Sequence, residues 1–142
     1  MAATFAFIIM NQIKMEKVEA TTNKNNMLKN MIMHHLTSFQ NNDLEAIISD
    51  YTNESILITQ TDTYKGIKAI EKFFAGLIQV FPKQNSSFEL DKLVINGDLI
   101  YIVWHAKTLF LNISLGSDTF IVKDGKIYQQ TYVRQATPDP GL

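Results

Sequence analysis

The 142 residues carry 13 Lys and Arg against 14 Asp and Glu, a formal net charge of −1, with 46% hydrophobic residues and no cysteine. Such a chain reads as one globular domain rather than a disordered segment. Without a run of basic residues it offers no phosphate-tracking surface, so nucleic acid is not an expected partner. The absence of thiols excludes disulfides, Cys nucleophiles and thiolate metal sites, and fits a reducing, cytoplasmic setting.

Phe5 to Met10 is apolar, but it is too short to span a bilayer and lacks a basic leader and a small-residue cleavage site. No membrane partner is expected. Thr21 to Asn26 is polar and turn-prone, so residues 1–26 read as a flexible N-terminal extension, with Met15 and Met27 as alternative starts. Residues 27–136 form the expected domain and 137–142 a frayed C-terminal tail.

From Met27 to Gln40, Leu28, Met31, Ile32, Leu36 and Phe39 recur at helical spacing. His35 lies within that apolar stripe, whereas His34 falls on the polar side with Asn30, Ser38 and Asn41. Asn41-Asn42-Asp43 ends the helix, and Asn42 with Glu45 predicts a capping box for a short second helix that carries Leu44, Ile47, Ile48 and Tyr51 inward. Ser55 to Gln60 is a β-branched strand and Thr61 to Lys65 a loop. Gly66 opens a third helix with Ile67, Ile70, Phe74, Leu77, Ile78 and Phe81 on one face, stopped at Pro82.

The remainder reads as sheet. Phe88 to Ile95 runs into Asn96-Gly97-Asp98, a tight-hairpin signal, followed by strands at Leu99 to Lys107, Ile113 to Val122 and Ile127 to Arg134. Helices first and an antiparallel meander after them make an α+β domain, with about three helices against one curved sheet of four to six strands.

In the strand Gly116 to Val122, Asp118 shares a face with Phe120 and Val122. Burying an unpaired carboxylate is costly, so that register points to a pocket that uses it. Gln130, Tyr128 and Tyr132 share one face of the last strand, and Trp104 is expected as an aromatic wall with His105 turned outward. Phe39, Tyr51, Phe73 and Phe120 read as wall and core. Three histidines, two of them adjacent, give no ligand pair at helical spacing, so neither a metal nor a cofactor is expected.

The stretches His35 to Ile48, Gly66 to Phe74 and Gly116 to Ile127 together resemble the NTF2-like superfamily, and within it the SnoaL-like and ketosteroid-isomerase-like members. The resemblance spans Met27 to Arg134 and implies a cone in which a curved sheet wraps a long helix around an apolar pocket. In ketosteroid isomerases a Tyr and a protonated Asp form an oxyanion hole and a second Asp is the base. Residue by residue, the resemblance puts Asp118 at the oxyanion-hole carboxyl, His35 at the Tyr and Thr59 at the base, and it implies that His35 lies within direct or one-water reach of Asp118 and that Gln130, Tyr128 and Tyr132 point the same way as Asp118. Thr59 cannot act as that base, and Asp62 could replace it only from an inward-folded loop. Two readings follow. One is a pocket for a small apolar molecule bearing a carbonyl or hydroxyl, with acid/base activity through Asp118 and His35, as in SnoaL-type cyclases. The other is a non-catalytic dimeric module of the NTF2-like type. A sheet face apolar on both sides predicts a homodimer through the outer face.

Overall fold

The computed structural model describes residues 2–139; Met1 and the last three positions of the expected tail lie outside the described residues. Three helices, α1 (Ala2–Gln40), α2 (Leu44–Ile48) and α3 (Ile67–Val80), pack against six strands, β1 (Tyr51–Ile58), β2 (Thr63–Lys65), β3 (Ser87–Asn96), β4 (Leu99–Lys107), β5 (Leu111–Lys123) and β6 (Lys126–Pro138). The strands form one curved, unclosed sheet in the order β2-β1-β6-β5-β4-β3. Among the described residues no helix is long and apolar enough to cross a membrane.

The first helix is far longer than the apolar spacing alone predicts. No Gly precedes Gly66 and no Pro precedes Pro82, so nothing breaks it. Thr21 to Asn26, expected as a turn, is therefore helical, and the Thr21 hydroxyl donates back to the Lys17 carbonyl at 2.9 Å. Residues 8–27 are exposed, and Leu28 with Ile32, His35 and Leu36 enters the core. The segment before it is held to the domain by an exposed ion pair of Lys24 with Asp98, 2.6 Å, a contact worth a few tenths of a kcal/mol.

The capping expectation for α2 shifts by one residue. Asp43, not Asn42, is the cap, its carboxylate accepting from Ala46 N at 3.0 Å. Asn42 takes a left-handed conformation (φ 55°), which Asn tolerates because its short side chain satisfies itself locally. Its amide donates to the Phe81 carbonyl and accepts from Lys83 N, each at 2.8 Å, tying the α1–α2 turn to the end of α3. Tyr51 opens β1 instead of closing α2. Part of the expected loop after β1 is the short strand β2, which pairs with β1 antiparallel.

Beyond α3 the strands run as a meander, β3 to β6, each antiparallel to the next. The turn at Gly97-Asp98 joins β3 to β4, with Gly97 at φ 61°. β1 then lies parallel to β6, the chain between them serving as the crossover. Thr137 and Pro138, expected in the frayed tail, extend β6 against Asn112 and Leu111. At Tyr128 β6 carries an extra residue: Val122 faces Ile127 and Ile121 faces Gln129. Such a bulge resets which side chains face inward. On the outer face one cross-strand row joins Val94, Tyr101, Thr119, Thr131 and Ile58.

Candidate functional site

Alternation along β5 sends Asp118, Phe120 and Val122 into the concave side, where Asp118 is 6% exposed. Its register neighbours are Ile102 on β4 and Tyr132 on β6. Each carboxylate oxygen takes one neutral donor: Trp104 Nε1 donates to Oδ1 and Gln130 Nε2 to Oδ2, both at 2.8 Å. Trp104 reaches Asp118 by lying across Gly116, its cross-strand partner. A Cβ on Gly116 would stand 2.1 Å from the indole Cε2, so the absence of a side chain there is what admits the ring.

Gln130 is itself held. The Tyr51 hydroxyl donates to Gln130 Oε1 and also lies 3.4 Å from His35 Nε2, while His35 Nδ1 is 3.1 Å from the Asp50 carboxylate. His34 Nδ1 lies 3.2 Å from the same carboxylate, its side chain half in solvent. A buried chain of hydrogen bonds thus runs from the surface at His34 and Asp50 through His35, Tyr51 and Gln130 to Asp118. The rings of Tyr51, Phe74 and Phe120 meet His35 edge-on at 5.6 to 5.8 Å.

Burial raises the Asp118 carboxyl from its ordinary value to about 6, opposed by the hydrogen bonds from Trp104 and Gln130 and by the charge of His35. Burial raises the Tyr132 hydroxyl to about 12. Burial, with Asp118 and Asp50 adding to it, also pushes Tyr51 well up. A carboxyl near 6 exchanges protons readily close to neutrality, while the two phenols stay protonated donors.

Asp118, His35, Gln130, Trp104, Tyr132, Phe120 and Phe39 line a cavity completed by Leu36, Phe74, Leu77, Phe81, Phe88 and Ile102. Its volume is about 30 Å³, room for roughly two waters. Phe39, Phe81 and Phe88 also line an outer groove of about 280 Å³ with Gln40, Asn41, Lys83, Ser86 and Ser87. The Ser86 hydroxyl is buried there without a protein hydrogen-bond partner.

Several expected site residues stand elsewhere. Tyr128 is the bulged residue of β6 and leaves the cavity, its ring under Lys123 Nζ at 5.3 Å. Thr59 belongs to the β1–β2 turn, its hydroxyl 3.3 Å from the Asp62 carbonyl. Asp62 is exposed and accepts from Thr61, so that loop does not fold inward. Phe73 sits outside the cavity between Tyr64, Phe74 and Tyr132. Tyr51 acts behind the wall through its hydroxyl. His35 and Asp118, expected within direct or one-water reach, are joined through Tyr51 and Gln130, with Asp50 on His35 Nδ1 and Tyr51 near Nε2. Sequence reasoning missed Asp50 and Gly116. A glycine inside an apolar strand was the one signal for the latter. Among the described residues no group of His, Asp and Glu side chains could hold a metal ion.

The family profile described as SnoaL-like domain matches residues 32–130. No match is found among curated proteins. The epoxide hydrolase/cyclase-like enzyme SalBIII, which has a role in pyran ring formation in the polyether salinomycin, shares 16% identity over 79% of this chain and 92% of its own, with a TM-score of 0.67. An NTF2-like protein of unknown function from Burkholderia xenovorans LB400 shares 13% over 82% and 90%, TM-score 0.67. A protein provisionally assigned as a ketosteroid isomerase from Kribbella flavida DSM 17836 shares 11% over 82% and 84%, TM-score 0.65. At these identities the likeness shows a common fold.

Proposed function

Because the chain belongs to the SnoaL-like domain family, and because its interior carries a carboxyl held only by neutral donors, we propose that it binds a small apolar molecule bearing a carbonyl or hydroxyl and moves a proton on it through Asp118. The observation that carries this reading is the Asp118 carboxyl at the cavity wall, one hydrogen bond on each oxygen and lone pairs left over. Ionised, it accepts a proton from a ligand hydroxyl or from the carbon beside a carbonyl; protonated, it donates to the carbonyl oxygen. His35 stands behind it through the hydrogen-bond chain. A ligand larger than two waters has to part Phe39, Phe81 and Phe88 from the side of the outer groove, so the bulk of the ligand rests in that groove. The lack of an inward carboxylate at Thr59 or Asp62 argues against a steroid-isomerase mechanism with a separate base. The fold neighbour acting in pyran ring formation supports a cyclase-like chemistry instead.

The test is binding of aromatic ketones, steroids and small polyketides, read by thermal stabilisation and by the fluorescence of Trp104, the protein's single tryptophan. A ligand at a hundred times its Kd should add about 2.7 kcal/mol of stability to the wild type, and Asp118→Asn should lose most of that gain. A panel without any shift, or a shift equal in the variant, removes Asp118 from ligand recognition.

A second reading, the non-catalytic dimeric module, is favoured by one observation: the interior is so filled by rings that only about 30 Å³ remains. Both readings include a homodimer through the outer sheet face. Ile58, Val94 and Val133 are 38–47% exposed there, and the row through Tyr101, Thr119 and Thr131 carries no charge. Light scattering should give twice the monomer mass at micromolar concentration and the monomer mass for Val133→Glu. A wild-type monomer overturns the assembly.

A further inference from the structure

Side-chain amides present either their oxygen or their nitrogen to a neighbour, and the surrounding hydrogen bonds decide which. At Gln130 the decision is made by Tyr51. The Tyr51 hydroxyl donates to Oε1, so Nε2 is turned to Asp118, 2.8 Å away. The reverse orientation would aim Oε1 at the carboxylate, which only a protonated Asp118 could meet. Tyr51 is fixed in turn by the fold, as the first residue of β1 and the neighbour of Asp50, whose carbonyl accepts from Ile127 N at 2.8 Å. His35, anchored on the Asp50 carboxylate, closes the other side of the Tyr51 oxygen.

We propose that Asp50, His35 and Tyr51 form a positioning relay that locks the Gln130 amide with its N–H toward Asp118, and so favours the ionised, proton-accepting form of the candidate acid/base group. None of the three needs to touch a ligand to do this. The relay gives a function to the buried His35–Asp50 pair, of which only His35 reaches the cavity wall. Titratable groups face Asp118 from α1 (His35), from β1 (Tyr51) and from β6 (Tyr132, with Arg134 3.3 Å from its hydroxyl). Around the cavity α3 contributes Phe74 and Leu77, and β4 contributes Ile102 and Trp104, none of them titratable in this range.

The inference rests on Asp118 as the proton-carrying group, but its readout is the titration of Asp118 itself, so it stands or falls without any ligand. Aspartate labelled with ¹³C at the carboxyl gives a signal for Asp118, identified by its absence in Asp118→Asn and followed from pH 4 to pH 8. Tyr51→Phe should raise the Asp118 midpoint by about one pH unit, a tenfold change in proton affinity, because one hydrogen bond to the charged form is released. Tyr132→Phe, whose hydroxyl is not bonded to Asp118, should leave it in place. If Tyr51→Phe does not fold, 3-fluorotyrosine placed at position 51 keeps the shape and donates more strongly, and the midpoint should fall by a few tenths of a unit. A midpoint within about 0.1 unit of wild type in every folded Tyr51 variant would overturn the relay.

Discussion

Gly116→Ala should destabilise the protein by about 2–6 kcal/mol, with a fall in melting temperature of roughly 6–20 °C. The added Cβ would lie 2.1 Å from Cε2, 2.2 Å from Cζ2 and 2.4 Å from Cδ2 of Trp104, so the indole has to move. It has little room. Trp104 is buried, stacked on Phe88 at 5.2 Å and packed near Tyr132 and Phe81. Overpacking of this kind costs about 1–3 kcal/mol. Moving the ring also removes its hydrogen bond to Asp118 and leaves a buried carboxyl short of a donor, about 1–3 kcal/mol more. The backbone of Gly116 is not in a left-handed conformation, so the cost comes from the indole and not from φ. Two measurements check this. The emission of the single tryptophan should shift in Gly116→Ala, and adding Trp104→Phe should recover part of the lost stability, since the smaller ring does not reach across position 116. Gly116→Ala at wild-type stability, with unchanged emission, would mean that the indole does not depend on the bare glycine.

The second large effect concerns pH. Stability should rise by about 2–3 kcal/mol as pH falls from 7 to 4, relative to an Asp118→Asn variant measured in parallel. The sign follows from burial, which raises the folded-state carboxyl from 3.8 to about 6. The folded protein therefore binds this proton more tightly than the unfolded chain does. That contribution is fully present below the unfolded value and is lost as pH rises through the folded one. The other ionisable groups are common to both proteins, so the difference between the two curves isolates Asp118. Denaturant unfolding at several pH values reads it directly. Parallel curves for wild type and variant would show that Asp118 is as well solvated when folded as when unfolded.

The effects share an origin in how β4, β5 and β6 align, and here the limits of the sequence become visible. The amphipathic stripe of α3, the hairpin at Gly97, the inward register of Asp118, Phe120 and Val122, and the opposite fates of His34 and His35 were legible from the chain. Each depends only on periodicity or on turn chemistry within a few residues. The α+β architecture, with its helices preceding a meander, was legible for the same reason, and the resemblance to SnoaL-like proteins rests on those same stretches.

The site was only partly legible. Tyr128 was expected beside Gln130 and Tyr132 by alternation, but the bulge at Tyr128 breaks that alternation, and a bulge is set by pairing with β5 and not by the residue itself. Thr59 was placed by resemblance at the base position, whereas the β1–β2 turn holds its hydroxyl. The joining of Asp50, His35 and Tyr51 to Gln130 depends on the parallel pairing of β1 with β6, a contact across more than seventy residues that no local pattern encodes. The seat of Trp104 over Gly116 depends likewise on β4–β5 register. By itself, then, the sequence determined the elements and which faces they bury, because side-chain period and turn propensity are local. Only the tertiary structure decided which polar groups meet inside, because a hydrogen bond needs a partner within about 3 Å, and that distance is set by strand register and bulges across the whole sheet.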